Sequence, residues 1–403
     1  MKANPEIAEK ERARYVEWVD NVVHCQSGRD HTLHGFTICF DLNFSCKSHI
    51  DRWIKFALAK RVKVLHLNFE PVYKEDLIDG CLPYPLGHET IMDADVGCLQ
   101  QSSDLSKVGL SPSIPWHVGF RYLEELHLKR VIVDGKLIEQ LLANSPVLER
   151  LTLDDARTLN RLRVAGQSLK LKYLCVACCF DLECIEICDM DLVSFTFVGL
   201  YSLLSMDKLP QLHEVSLSGC ISILRNDLPQ LSSLPCLQIL ELEFDYSHPA
   251  HLAIPSELPK LTSVKQLKLR VGGSGDISLL PLTIVIEACP YLRSFVFELT
   301  NPWWKPNEKG RKLERVVGPV HQYLKEVEFC NYYGRPCDYE LVNYLVENAI
   351  ALEKLVVNPC DLGLEPYDKG YFSGRMIKVK EPRERAMQQL KGKLPSRIEL
   401  VIT

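Results

Sequence analysis

The chain has no apolar run approaching the roughly 20 residues needed to cross a bilayer. Its first residues, MKANPEIAEKERARYVEWVD, carry charge where a signal peptide has its apolar core. The expectation is therefore a cytoplasmic or nuclear protein rather than a secreted or membrane-spanning one. Positive charge is also short. Lys and Arg number 47 against 52 Asp and Glu, for a net charge of -5, which argues against general binding to nucleic acid or acidic membranes. Signatures of catalysis are missing too. There is no Gly-x-Ser-x-Gly elbow, and Val271-Gly-Gly-Ser-Gly275 lacks the Lys-Ser/Thr of a phosphate loop and reads as a turn. No base and nucleophile, and no pair of carboxylates, stand at a telling spacing. The expectation is a protein that is not an enzyme and needs no cofactor.

A metal site is not indicated either. The 16 cysteines are mostly single and set beside Leu, Val and Ile, as at Cys220, Cys236, Cys289 and Cys330. They read as reduced thiols used as small core residues. The group Cys175, Cys178, Cys179, Cys184 and Cys188 contains one Cys-x-x-Cys pair, but no second pair completes a zinc site. His31 and His34, with His24 and Cys25 nearby, lack a second set of ligands and read as a solvated loop or turn. Asn43-Phe44-Ser45 matches a glycosylation acceptor, which without a secretory route reads as chance. Trp303 and Trp304 lie between Pro302 and Pro306 and could serve equally as an interface anchor or as a lid over the repeats.

What the sequence does contain is a repeat. An apolar residue, two variable residues, then apolar, variable, apolar occurs as Leu123-Glu-Glu-Leu126-His-Leu128 and returns at Leu148, Leu171, Leu192, Leu212, Leu237, Val264, Leu292, Leu324 and Leu352, spaced 20–32 residues apart. An early copy starts at Val62. Leucine-rich repeats have periods of about 20–29 residues. Alternation within the core of each copy marks a short strand with one buried face. One such strand cannot shelter its own apolar side, so copies must stack into a shared parallel sheet joined by crossovers. The predicted class is therefore α/β: a leucine-rich-repeat solenoid with a curved parallel sheet on its concave face and helices or irregular segments on its convex face.

Helices are expected at Lys136–Ala143, Leu279–Ala288 and Glu340–Ala349, and a terminal helix followed by a strand within Pro382–Thr403. Second strand-like halves start at Leu159 and Leu182, where they could replace a helix as the outer wall. The expected divisions are an N-terminal cap and first strand (1–70), a loop or insertion (71–118), the main repeats (119–300), a polar loop (301–319) and C-terminal repeats with a cap (320–403).

In each strand the variable residues point away from the core. Small outward residues in three successive repeats (Cys175, Ala177, Ser194, Thr196, Ser216 and Ser218) predict a shallow bay flanked by Tyr173, with Glu241, Glu243, Lys268 and Arg270 as a charged rim. The expected partner-binding residues are Tyr173, Cys175, Ser194, Thr196, Glu214, Ser216, Glu241 and Lys268.

Several segments together resemble plant F-box proteins with leucine-rich repeats and an FBD-type C-terminal region. They are Trp18–Val23, Ile50–Leu58 with Val62–Phe69, Tyr122–Leu153, Ser168–Ile187, Glu287–Leu299 and, for the FBD-type part, His321–Pro359. The resemblance covers nearly the whole chain. It implies a repeat fold and recognition of a protein destined for ubiquitylation, with an F-box docking a Skp-type linker. The F-box begins with a Leu-Pro pair and should precede Trp18; residues 1–17 contain no such pair. The expectation is accordingly a truncated or repeat-only relative, with docking of the linker in doubt. The alternative is a structural repeat scaffold with no ligase link.

Overall fold

The computed structural model describes residues 5–28, 31–71, 82–87, 120–199, 203–219, 223–245, 254–272, 277–300, 313–316, 318–359 and 380–403. Trp303, Trp304, Cys220, most of the glycine-rich turn after Val271, most of segments 71–118 and 301–319 and nearly all of segment 361–381 lie outside these residues. The chain divides into two compact units, Met1–Pro210 and Gln211–Thr403. Each is a leucine-rich-repeat ladder of parallel strands.

The first unit opens with helix α1 (Pro5–Ser27), strand β1 (Gly35–Cys39), helix α2 (Lys47–Ala59) and strand β2 (Val64–Asn68). Asp20 ties α1 to α2, accepting from the Trp53 indole at 2.7 Å and pairing with His49 at 2.8 Å. The unit continues with β3 (Tyr84–Pro85), β4 (Glu125–Lys129), β5 (Val131–Ile132), helix α3 (Gly135–Asn144) and β6 (Arg150–Asp154). Five further strands follow: β7 (Arg161–Ala165), β8 (Tyr173–Ala177), β9 (Cys184–Cys188), β10 (Ser194–Val198) and β11 (Leu203–Asp207). The main ladder runs β1-β2-β4-β6-β8-β10, all parallel and in unbroken register, so that Leu126, Leu151, Leu174 and Phe195 occupy one row. The early Val62 copy is thus the rung next to β4, although more than fifty residues separate them in sequence.

The strand-like halves at Leu159 and Leu182 form β7 and β9, and these pair with β11 in a second parallel ladder. Both ladders bury alternate residues: Leu151, Leu153, Leu174 and Val176 in the main one, Leu162, Val164, Ile185 and Ile187 in the other. Each such side chain contributes about 1.5–3 kcal/mol when removed from water. Helix α3 packs against β7, and Asp134 caps it by accepting from the Leu137 N–H at 2.8 Å. A short crossover helix and a short crossover strand therefore do the same job in successive repeats.

Five of these strands end in the same way. Arg130, Asp155, Cys178, Asp189 and Lys208 directly follow β4, β6, β8, β9 and β11, and all have positive φ (50° to 57°). The left-handed residue turns the chain out of the sheet while its N–H still extends the ladder, as in the bonds from Arg130 to the Asp154 carbonyl (2.8 Å) and from Cys178 to the Val198 carbonyl (2.7 Å).

The second unit has seven consecutive parallel strands: β12 (Glu214–Gly219), β13 (Ile239–Asp245), β14 (Gln266–Gly272), β15 (Ser294–Leu299), β16 (Glu326–Tyr332), β17 (Lys354–Pro359) and β18 (Glu399–Ile402). Its core is aromatic at the centre, where the Phe297 and Phe329 rings lie 4.9 Å apart and the Phe329 and Tyr332 rings 5.2 Å apart. The helix expected over Leu279–Ala288 is split into a 3-10 turn, Leu280–Leu282, and a short helix, Thr283–Glu287. Pro281 falls in the first turn, where a missing N–H is tolerated, and the run tightens into a 3-10 turn before the α-helix begins at Thr283. The helix expected at Glu340–Ala349 starts earlier and spans Pro336–Asn348. Its first turn is held by buried Asp338, which accepts from the Tyr333 and Arg335 N–H groups at 3.1 Å each and pairs with the Arg335 guanidinium at 2.6 Å. The terminal helix is Lys380–Leu390, and β18 then adds the last rung.

Candidate functional site

The outward side chains of each main ladder form three rows, because every strand contributes its first, third and fifth residues to the same side. In the first unit the first row holds Glu125, Arg150, Tyr173 and Ser194, the middle row His127, Thr152, Cys175 and Thr196, and the third Lys129, Asp154, Ala177 and Val198. Rungs lie about 4.8 Å apart, so row neighbours touch. The Arg150 guanidinium stacks on Tyr173, 3.8 Å from the ring centroid. The His66 and His127 rings are 5.5 Å apart, and His66 also pairs with Glu125 at 2.9 Å. Lys129 bridges Glu70 at 2.8 Å and Asp154 at 3.0 Å. Those hydrogen bonds hold the Lys129 ammonium charged well above the usual lysine range; the bond to Glu70 is the largest contribution, and burial opposes it.

Of the partner-binding residues read from sequence, Tyr173, Cys175, Ser194 and Thr196 are brought together here. Tyr173 faces Ser194 and Cys175 faces Thr196 across adjacent rungs. The patch is chemically quiet. Burial raises the Cys175 and Cys178 thiols, with the Asp154 charge adding to it, so both stay protonated at neutral pH. Burial lowers His127, and the neighbouring His66 charge pushes it further in the same direction.

Glu214, Ser216, Glu241 and Lys268 belong to the second unit. Ser216, Glu241 and Lys268 share its middle row, with Glu214 in the row before. The residues read as a charged rim neutralise one another. Arg270 pairs with Glu241 at 2.7 Å and Glu298 at 3.1 Å, and Lys268 pairs with Glu298 at 3.1 Å. Burial disfavours the Glu298 charge, but the hydrogen bonds from Lys268 and Arg270 outweigh it and hold the carboxyl below its usual range. Glu298, one rung further on, was not part of the reading from sequence. It could have been found by placing outward residues in register across neighbouring repeats. Beyond it, Asn358 donates to Glu328 at 2.6 Å.

The cysteines divide by position. Cys46, Cys179, Cys289 and Cys337 are buried, but Cys236 is exposed and Cys330 is half-buried on the outward side of β16. The core role expected of these last two is therefore corrected: Cys236 lies before β13, not in its buried face, and Cys330 alternates outward from buried Phe329. Cys175 is on β8 and Cys178 directly follows it, whereas Cys184 and Cys188 both lie on β9 of the other ladder. Among the described residues no group of three or more His, Cys, Asp or Glu side chains is placed to hold a metal ion. Asn43 is nearly buried, and its side chain accepts from the Ser45 N–H at 3.0 Å, capping a 3-10 turn. Among the described residues no helix is long and apolar enough to cross a membrane.

Comparison with known proteins agrees with this architecture. A protein-family model described as the LRR domain of At1g61320/AtMIF1 matches residues 27–391. The F-box/FBD/LRR-repeat protein At1g78750 of Arabidopsis thaliana is 26% identical over 353 residues, covering 76% of this chain and 68% of the relative.

Proposed function

Because the chain belongs to the leucine-rich-repeat family of the At1g61320/AtMIF1 type, we propose that it recognises a protein partner through the outward rows of its parallel ladders and presents that partner for ubiquitylation. One observation carries the reading. On β4, β6, β8, β13 and β14 the inward residues make the core, while the outward residues stand in register and are left for other contacts. The resemblance to an F-box/FBD/LRR-repeat protein supplies the ubiquitin link, and residues 320–403 would be the FBD-type part. The work would take place in the cytoplasm or nucleus.

Within the first unit the contact patch is Tyr173, Cys175, Ser194 and Thr196; within the second it is Glu214, Ser216, Glu241 and Lys268. Small side chains admit a partner loop, and the Tyr173 ring offers an anchor of the kind that dominates interfaces.

The test is affinity capture by the full chain from plant extract with the proteasome blocked, comparing wild type with Thr196→Arg and Ser216→Arg. Recognition predicts partners lost from one or both variants. Capture of the same proteins by wild type and both variants would remove these patches and favour a structural scaffold. Co-purification with a Skp-type linker tests the ligase link separately.

A further inference from the structure

In the second unit the residue just before each strand forms a column of its own. Gln238, Lys265, Arg293, Lys325 and Glu353 follow one another, each N–H bonded to the carbonyl of the one before at 2.8–2.9 Å. In the first unit the cations of the same column each have an acidic neighbour: Lys63 pairs with Glu124 at 2.7 Å and Lys172 with Glu149 at 2.9 Å. In the second unit Lys325 pairs likewise with Glu353 at 2.8 Å. Lys265 and Arg293 break the rule. Among the described residues neither has a carboxylate within ion-pair distance, and the one polar side-chain contact of Lys265 is the Gln238 amide oxygen at 3.4 Å.

Two positions earlier in each repeat a second column holds Ser263, Tyr291 and Tyr323. The two rings lie 5.4 Å apart, tilted at 47°, and both are close to half exposed. Together with Thr262 and the two cations, these residues line a cavity of about 280 Å³ whose wall contains no acidic residue. In a chain of net charge -5, two uncompensated cations on adjacent rungs repel each other unless an anion lies between them. The donors suit one anion in particular. A guanidinium fork grips phosphate oxygens in pairs, a lysine adds a point charge, and the Thr262 and Ser263 hydroxyls can donate further bonds. The tyrosine rings give a planar group a surface to lie against. The cavity is just smaller than the usual small-molecule site of about 300–1,000 Å³, which suits a small ligand.

We propose that this cavity binds a phosphate monoester carried on a small ring or short chain. The site stands independently of partner recognition by the outward rows. Its phosphate could come from a phosphorylated side chain of a protein or from a free small phosphate, and the chemistry at the cavity is the same for both.

The test is titration of the full chain with phenyl phosphate, with phenol as the uncharged control, followed by calorimetry and ligand-observed NMR. Phenyl phosphate should bind and phenol should not. Arg293→Gln should weaken phenyl phosphate about tenfold, as loss of a charge-assisted bond does, and added NaCl should weaken it further. Arg293→Lys should lose less than Arg293→Gln. Both side chains are at the surface, so circular dichroism melts of the variants should match wild type. A phosphotyrosine peptide that binds about tenfold more tightly than phenyl phosphate assigns the phosphate to a protein; equal affinity assigns it to a small molecule. Absence of phenyl phosphate binding at millimolar concentration, or undiminished binding in a folded Lys265→Gln/Arg293→Gln variant, overturns the proposal.

Discussion

The Arg150 guanidinium lies over the face of the Tyr173 ring, 3.8 Å from its centroid, across two adjacent rungs of the first ladder. The pair closes one side of the small-residue patch on β8 and β10. An exposed cation–π contact is worth about 0.5–1 kcal/mol. A double-mutant cycle of Arg150→Ala and Tyr173→Ala, read by urea unfolding, should return a coupling of that size. Strict additivity would show that the stacking adds nothing to stability.

Protonation of the neighbouring His127 should be visible in stability. His127 has its folded-state pKa below the usual 6.5, through burial first and the His66 charge second; Lys129 acts in the same direction, while Asp154 and Glu125 oppose it and are outweighed. The unfolded chain lacks these effects and so takes up the proton first. The stability from neutral His127 is complete above the unfolded pKa and is lost as pH falls through the lower folded value. Melting temperature should therefore fall less steeply for His127→Gln than for wild type between about pH 7.5 and pH 5. Parallel curves would contradict this.

Helix α3 meets the second ladder at a residue that has no room for a side chain. A methyl group on Gly135 would overlap the Arg161 carbonyl oxygen, which belongs to the backbone of β7 and cannot swing aside. Gly135→Ala should cost about 1–3 kcal/mol despite its better helix propensity. A denaturation midpoint equal to wild type would mean that helix and strand can separate freely.

Thiol chemistry should follow position on the rungs. Burial pushes the Cys179 and Cys289 thiols up to about 12, whereas Cys25, Cys39 and Cys236 are exposed. Thiolate is the reactive form. Among the described cysteines, a disulfide reagent at about pH 8, near the free-thiol pKa, should modify Cys25, Cys39 and Cys236 first and reach Cys179 and Cys289 only after denaturant is added. Peptide mapping by mass spectrometry reads the order directly, and early labelling of Cys289 would be inconsistent with the packing described.

The repeat was legible because alternation within each strand and recurrence between strands both leave marks in a single sequence. That placed Leu126, Leu151, Leu174 and Phe195 in one row and marked the halves at Leu159 and Leu182 as strands. Two rungs were passed over although their pattern was present. Leu33-His-Gly-Phe36-Thr-Ile38 fits the repeat core and forms β1, but its histidines drew the reading towards a loop. Tyr201-Ser-Leu-Leu204-Ser-Met206 fits it too, and its residues from Leu203 onward lie in β11. The sites were less legible. Charge pairing among Glu241, Lys268, Arg270 and Glu298 depends on register between rungs, which local sequence does not encode. Lys265 and Arg293 stand outside the strand positions, where the apolar pattern carries no information.

Rungs of the first unit such as β4, β6 and β8 leave their sheet through a left-handed residue, Arg130, Asp155 or Cys178, whose amide completes the last main-chain bond before the chain turns away. Anchoring by backbone at this exit frees what comes next from any fixed length, so one crossover can be a ten-residue helix and the next a five-residue strand. Insertions and losses between rungs then alter the outer wall while the opposite side keeps its spacing. Inheritance can thus revise such a molecule one loop or one outward side chain at a time, acquiring a new target without having to find a new fold.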